Sequence, residues 1–493
     1  MGLTRRQFLQ RGAVAAAAIT APHPLLRAML GAGTAEAAPP ADAILVIIQL
    51  EGGNDGLNTV IPIDDAGSVA QRSLYDAARP TLGVPVASLG ATEIDVDPTK
   101  GTRLALHPAM TDLKTLYDNG LVAVIAGVGY PNQSLSHFRS EDIWFSANPA
   151  APSSSGWFGR YLDSAFTPSD LVSVDVNETL SPIFVCQHCN VLAVRRLSDF
   201  VLPDDPLYPD LAAKKAALDA MYAIEADPME TSSVQLEIGT SGDVLLGKID
   251  DYAAVGTSWS SHLDALGIEL ARRLKQVASI IRYDASSPSS PIGARFFHVR
   301  LGGFDTHTQQ GTLTGTQPIR LQRVAAATKA FYDDMVDLGV AGKCLMMTFS
   351  EFGRRVAENG SSGTAGTDHG AASPLFVVGA PVVGGVYGTV PALNDLDGSG
   401  NLKFNVDFRR VYATIIDKWL ASPGAHVRFC RAPPTRRCPS CRSARHSAPA
   451  VASWVGWAWG GGRRRVPTFP RRSNGSPHGS GRTPRCSRGG GAP

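Results

Sequence analysis

In the segment GTDHGAASPLFVVG, residues 366–379, an acid and an imidazole, Asp368 and His369, stand between glycines just ahead of an apolar run. Ligand-capable side chains beside a buried strand cost desolvation energy unless something engages them. The same residue types recur upstream. GGFDTHTQQG (302–311) carries Asp305 and His307 two residues apart, EGGNDGLNT (51–59) offers Asn54 and Asp55, and SEFGRR (350–355) offers Glu351 and Arg354. Carboxylates and imidazoles gathered on one rim are the donor set of a hydrolytic divalent-metal site. The mixture suits zinc first, and carboxylates alone suit manganese, calcium or magnesium. Two ions would clamp the attacking and leaving oxygens of a displacement. A further segment, GYPNQSLSHFRSEDIW (129–144), places Ser134 and Ser136 before a helix starting near His137. Ser136 there is either the helix N-cap or a nucleophile aided by the helix N-terminus.

Each residue also has a plainer reading. Asp55-Gly56 is common turn chemistry, and Ser136 alone reads better as a cap. His307 reads as a satisfied core histidine, Asp368 as the holder of a glycine turn, and Arg354 as a surface partner of Glu351. The joint pattern favours a site, because every segment lies at the end of an apolar run. These runs are AILVIIQL (43–50), LVAVIAG (121–127), RFFHVRL (295–301), KCLMMTF (343–349) and PLFVVG (374–379). They are short, lack strict alternation and are rich in β-branched residues, as parallel strands buried on both faces are.

Helical periodicity fills the intervals, at 107–120, 261–284, 321–339 and 407–420. Alternating strands and helices predict an α/β fold, a doubly wound and mostly parallel sheet flanked by helices. In such sheets ligands sit beyond the carboxyl ends of the strands. The region from about 150 to 290 supplies helices and loops over that rim. Trp157 and Tyr161 in SGWFGRYLD either line its entrance or pack the core.

The ends of the chain read differently from its body. Arg5 and Arg6, the weakly apolar GAVAAAAIT and the small-x-small triplet Ala35–Ala37 follow the order of a twin-arginine export signal over residues 1–37. That predicts export through the twin-arginine translocation machinery to the periplasm or the medium, with no transmembrane anchor in the mature form. Residues 38–420 form the expected α/β domain. Residues 421–493 hold 14 Arg and no Asp, Glu or Lys. The other 32 Lys and Arg face all 44 acids, so the rest of the chain carries a net charge of −12. A basic arm for nucleic acid is one reading of the tail. GC-rich DNA read out of frame yields the same Arg, Pro, Gly and Ser, and it is the preferred reading, with disorder expected and no nucleic-acid partner. Cys186 and Cys189 in CQHC form either a local disulfide or half a metal site. Cys344 lies in an apolar run as a core residue.

The export signal, LEGGNDGLNTVIP, SHFRSEDIW, GGFDTH and SEFGRRVAENGSSGTAGTDHG together resemble the exported bacterial family called domain of unknown function 1501. Through it the chain is similar to the alkaline phosphatase and sulfatase superfamily. The resemblance runs to about Leu420 and implies a large α/β sandwich with a metal site at the strand ends. It implies Asp55 as the first metal-binding Asp, Asp305 and His307 as ligands of one ion, and His369 as the final His ligand. It implies Ser136 as nucleophile. Glu351-Phe352 stands where the superfamily has Asp-His, and the Cys-x-Pro-x-Arg signature of formylglycine sulfatases is absent.

The expectation is an exported, metal-dependent hydrolase of phosphate or sulfate esters, or a phosphotransferase, acting on a small-molecule or polymeric ester. Asp55, Asp305, His307, Glu351 and His369 hold the metal, and Ser136 attacks. Arg139, Arg354 and Asn54 bind substrate, since a guanidinium fork suits a tetrahedral oxyanion. The alternative is a non-catalytic envelope scaffold that keeps the fold.

Overall fold

The computed structural model describes residues 43–202, 209–223, 233–289 and 291–420; the expected export signal and Arg-rich tail lie outside these residues. Among them, nine strands form one sheet. In chain order they are β1 Ile44–Leu50, β2 Val122–Gly129, β3 Ser173–Asp175, β4 Val191–Ala193, β5 Phe296–Leu301, β6 Cys344–Phe349, β7 Ser373–Val378, β8 Gly385–Gly388 and β9 Val406–Asp407. Across the sheet the order is β8-β2-β7-β6-β1-β5-β3-β4, and β9 also pairs with β2. The helices that matter below are α1 Thr111–Asp118, α2 His137–Ser146, α3 Trp157–Ala165, α4 Glu269–Ser286, α5 Thr316–Asp337 and α6 Phe408–Ile415.

β1 is the central strand because its sequence, ILVIIQL, leaves neither face polar enough for water. Its whole length is buried, and it runs parallel to β5 on one side and β6 on the other. Ile44, Val46, Ile48 and Leu50 join a core with Leu270, Leu274 and Val277 of α4 and Val324 and Phe331 of α5. Leu45 and Ile47 join the opposite core with Ile143 and Trp144 of α2, Phe158 of α3, and Phe408 and Tyr412 of α6. Burying each such side chain stabilises the fold by about 1.5–3 kcal/mol. Helices on both faces complete the expected doubly wound α/β architecture.

The last expected strand departs from the parallel reading. β7 runs antiparallel to both β2 and β6. A parallel return from β6 would need a crossover to the far rim. Residues 350–372 contain no helix and stay at the rim where β6 ends. Consequently the start of β7, rather than its end, lies at the carboxyl rim of the sheet, and His369 arrives there just before it. A two-residue antiparallel ladder, Gly353–Arg354 with Gly370 and His369, pins this loop back on itself.

The helix expected over 261–284 is interrupted. Ser261 and Asp264 form a capping box on a short 3₁₀ turn, Gly267 takes φ +61°, and α4 begins at Glu269. The expected 407–420 helix is α6 followed by a π turn over Ile416–Leu420. Trp157 and Tyr161 are buried packing residues, and Cys344 lies in the core. Cys186 and Cys189 are joined as a disulfide, with Cα atoms 5.7 Å apart. Among the described residues no helix is long and apolar enough to cross a membrane.

Candidate metal centre

Three loops at the carboxyl rim and the start of α2 build one cluster. The loop after β1 depends on its glycines. Gly52, at φ +119°, lies so close that a Cβ would stand 2.3 Å from the Asp305 nitrogen. Gly53, at φ +80°, would put a Cβ 2.2 Å from the Phe352 ring. No side chain fits either place, so EGGND lets the loop after β1 lie against the backbone of the loop after β5 and the Phe352 ring of the loop after β6.

Asp305 is the hub. Its Oδ1 lies 3.1 Å from His307 Nε2 and 3.1 Å from His369 Nε2. His307 Nε2 and His369 Nε2 face each other at 2.9 Å. His137 Nε2 lies 3.5 Å from Asp305 Oδ2. The ligand atoms of His137, Asp305 and His369 all fall within 4.8 Å of one another, and His307 joins them through Asp305 and His369.

The other nitrogen of each ring determines what the inward one can do. His137 Nδ1 meets Glu351 Oε1 at 2.8 Å, His307 Nδ1 meets Asp368 Oδ1 at 3.2 Å, and His369 Nδ1 meets the Leu135 carbonyl at 2.8 Å. All three partners are acceptors, so each Nδ1 can donate to its partner, and with an ion bound each Nε2 can present its lone pair. Three lone pairs and a carboxylate aimed at one point repel unless a proton or cation joins them. Zinc ligands at about 2.0–2.1 Å in a tetrahedron stand roughly 3.3 Å from one another. The separations of 2.9–3.1 Å among Asp305 Oδ1, His307 Nε2 and His369 Nε2 are close to such an edge, while His137 approaches the other Asp305 oxygen at 3.5 Å, and the nitrogen-rich donor set fits zinc before the harder ions.

Electrostatics reinforce the arrangement. Burial alone would raise the Asp305 carboxyl. The hydrogen bond and charge of Arg354, with His369 and His307 beside it, outweigh burial and hold the group down at about 2. The Glu351 hydrogen bond, opposed by burial, raises His137 above the usual imidazole range. Asn359, followed by His307, holds Asp368 below the usual carboxylate range. Phe352 packs on the His369 and His137 rings at 4.4 and 4.8 Å and closes the apolar side of the cluster.

The residues expected from the sequence therefore separate. Asp305, His307 and His369 converge. Glu351 is fully buried behind His137, where it also accepts from the Gly52 N–H at 2.8 Å. It orients an imidazole instead of joining the ligand atoms. Asp55 does not converge either. It forms a completely buried ion pair with Arg79, accepts from Gln310 Nε2 at 2.5 Å, and caps the turn that follows it. Its oxygens are spent on holding the rim together.

The expected substrate contacts also have other partners. Arg354 is wholly buried and donates to the carbonyls of Gly53, Thr367, Gly52 and Phe304 as well as to Asp305. Arg139 is engaged by Asp142 and the Pro149 carbonyl. Asn54 is buried, and its Oδ1 accepts from Thr59 and Gln317. Ser136 is exposed at the N-cap position of α2, yet its side chain makes no capping bond. It sits between Leu135, whose carbonyl holds His369, and His137.

His137 is the residue that sequence reasoning missed. The signal was present in its position directly after Ser136, at the first helical residue beyond β2. At CQHC, the two sulfurs are bonded to each other, and Asp163 accepts from the Gln187 and His188 N–H groups at 2.8 Å.

Residues 291–420 match the model of the family described as "Protein of unknown function (DUF1501)". That span contains Asp305, His307, Glu351 and His369. A comparison with curated proteins finds no match. Among solved structures, the chain is similar to a protein of the alkaline phosphatase superfamily from Vibrio parahaemolyticus. That similarity has 8% identity and a TM-score of 0.32, over 75% of this chain and 71% of the other. It is also similar to the PsFucS1 sulfatase from Pseudoalteromonas sp., at 10% identity and a TM-score of 0.31, over 80% and 71% of the two chains.

Proposed function

We propose that the protein is an exported hydrolase of phosphate or sulfate esters. It uses one divalent ion, zinc by preference, held by His137, His307, His369 and Asp305. The observation that carries this reading is the shared orientation of the three imidazoles, each with Nδ1 tied to an acceptor and Nε2 turned to the cluster around Asp305. When bound, the ion supplies Lewis-acid polarisation of the ester oxygens.

The chain's own residues do the rest. Ser136 provides the nucleophilic hydroxyl, uncommitted to capping and placed at the positive end of a ten-residue helix that favours developing negative charge. Glu351, Asp368 and the Leu135 carbonyl hold the imidazoles in one tautomer and one orientation. Arg354 keeps Asp305 ionised and anchored. Export through the twin-arginine route rests on the Arg5-Arg6 signal and the Ala35–Ala37 triplet.

A scaffold role is the second reading. It is favoured by the burial of Asp55 against Arg79 and by the engagement of Arg139 and Arg354. Metal content by mass spectrometry, beside the Asp305→Ala/His307→Ala variant, is the first test. Hydrolysis of phosphate and sulfate esters with Ser136→Ala as control is the second. Stoichiometric zinc lost in the double variant, with turnover lost in Ser136→Ala, is the expected result. Zinc without turnover of any ester favours the scaffold.

A further inference from the structure

A cleft opens beside the Asp305 loop, lined by Glu51, Glu178, Glu269, Arg273, Arg300 and Gly302. It encloses about 130 Å³ and opens to solvent along one side. Its floor is the rim of the sheet. The Glu51 N–H donates to the Leu301 carbonyl at 3.0 Å, and the Phe304 N–H to the Glu51 carbonyl at 3.1 Å. Asp305 lies three positions after Gly302, a reach of at most about 10 Å.

The charges in the cleft are unequally committed. Arg273 donates to Glu269 at 2.5 Å and to Asn177. Glu178 meets Arg195 in an exposed pair at 3.3 Å. Glu51 and Arg300 line the same space, and the charges of both reach the Glu141 carboxyl. Arg300 offers only donors and Glu51 only acceptors.

This chemistry narrows the occupant. An anion would face three carboxylates, and a cation would face two guanidinium groups. An aromatic or acyl group would find no apolar wall. A neutral polyol suits both kinds of side chain, because each hydroxyl donates to a carboxylate and accepts from a guanidinium. We propose that the cleft is a carbohydrate subsite that holds a neutral, hydroxyl-rich ring while the ester on that ring reaches the Asp305 centre. The ester half of this statement rests on the hydrolase reading; the sugar half does not.

Saturation-transfer NMR of the full chain with methyl β-D-glucopyranoside, methyl β-D-galactopyranoside and methyl α-L-fucopyranoside tests the sugar half. Arg300→Gln and Glu51→Gln are run beside the parent after a thermal-unfolding check. Transfer to at least one glycoside is expected, reduced about fivefold or more in both variants. Absence of transfer to all three, or transfer unaltered in both variants, overturns the subsite. Hydrolysis of hexose 6-sulfate and 6-phosphate against 4-nitrophenyl sulfate and phosphate tests the ester half. The sugar-to-nitrophenyl ratio of kcat/KM should fall about tenfold in both variants. A parent that binds glycoside yet cleaves no ester sinks the hydrolase reading and leaves the subsite. A parent that cleaves nitrophenyl esters but binds no glycoside sinks the subsite alone.

Discussion

The Arg354 guanidinium, with no exposed side-chain surface, donates to Asp305 Oδ1 at 2.7 Å, the same oxygen on which His307 and His369 converge. Its remaining donors are spread over carbonyls from the loops after β1, after β5 and before β7. Lysine keeps the charge but not the fork. Arg354→Lys should therefore destabilise the fold by about 3–5 kcal/mol, the cost of breaking a buried charged network. Denaturant unfolding measures it, and a variant as stable as the parent would show that this network does not hold the rim.

Glu351 and Asp368 act through the imidazoles they orient. Glu351→Gln and Asp368→Asn should each lower zinc affinity by roughly 10–100-fold while leaving stoichiometry near that of the parent. Competition against a chelator gives the number. Stoichiometric loss in Glu351→Gln would return Glu351 to the ligand set.

Asp55 separates the sequence-based reading from the structural one. As a metal ligand it could not be replaced without loss of the ion. As the partner of Arg79, with both side chains wholly buried, it can be replaced if no orphan charge remains. The double variant Asp55→Asn/Arg79→Gln removes both charges and should keep zinc at parent stoichiometry. Asp55→Asn alone leaves Arg79 unpaired and should cost about 3 kcal/mol or more. Zinc lost from the folded double variant would make Asp55 a ligand after all.

What the sequence revealed and what it concealed differ in kind. The strand ILVIIQL and the polar residues after the apolar runs are local features, and local pattern located Asp305 and His307 at the carboxyl rim. An apolar run carries no direction, so the antiparallel course of β7 was hidden, although it is what delivers His369 to that rim. Partners distant in sequence were hidden too. Arg79 lies 24 residues from Asp55, and Glu351 lies 214 residues from His137. A carboxylate at a strand end looks the same whether a metal, an arginine or an imidazole will meet it. The turn at Gly267 was masked because apolar spacing continues through it on both sides.

Ser136 offers a contrast between capping and catalysis. A serine that caps a helix costs about 1 kcal/mol when replaced by alanine. Ser136 makes no such bond, so Ser136→Ala should change stability by less than about 0.5 kcal/mol. Loss of ester turnover with unchanged unfolding would mark the hydroxyl as chemical; a stability loss near 1 kcal/mol would mark it as a cap.

Glu141 lies one helical turn after His137 on α2 and accepts from the buried Gln49 amide at 2.9 Å. Burial, with Glu351 and Glu51 nearby, raises its carboxyl to about 7. An unfolded glutamate titrates near 4.3. Below about pH 4 both states hold the proton, and the group contributes nothing to the difference. As pH rises towards 7 the unfolded chain gives up its proton while the folded one keeps it, so stability falls across that window and then levels off. Glu141→Gln retains the oxygen that Gln49 needs and removes the titration. Each tenfold difference in proton affinity between the folded and unfolded chains corresponds to about 1.4 kcal/mol, and the solvent that reaches this half-buried carboxylate reduces the effect. The variant should therefore match the parent near pH 4 and exceed it by roughly 1–3 kcal/mol at pH 8. Urea unfolding of both proteins at the two pH values decides the matter, and equal stability at pH 8 would mean that Glu141 ionises there without penalty.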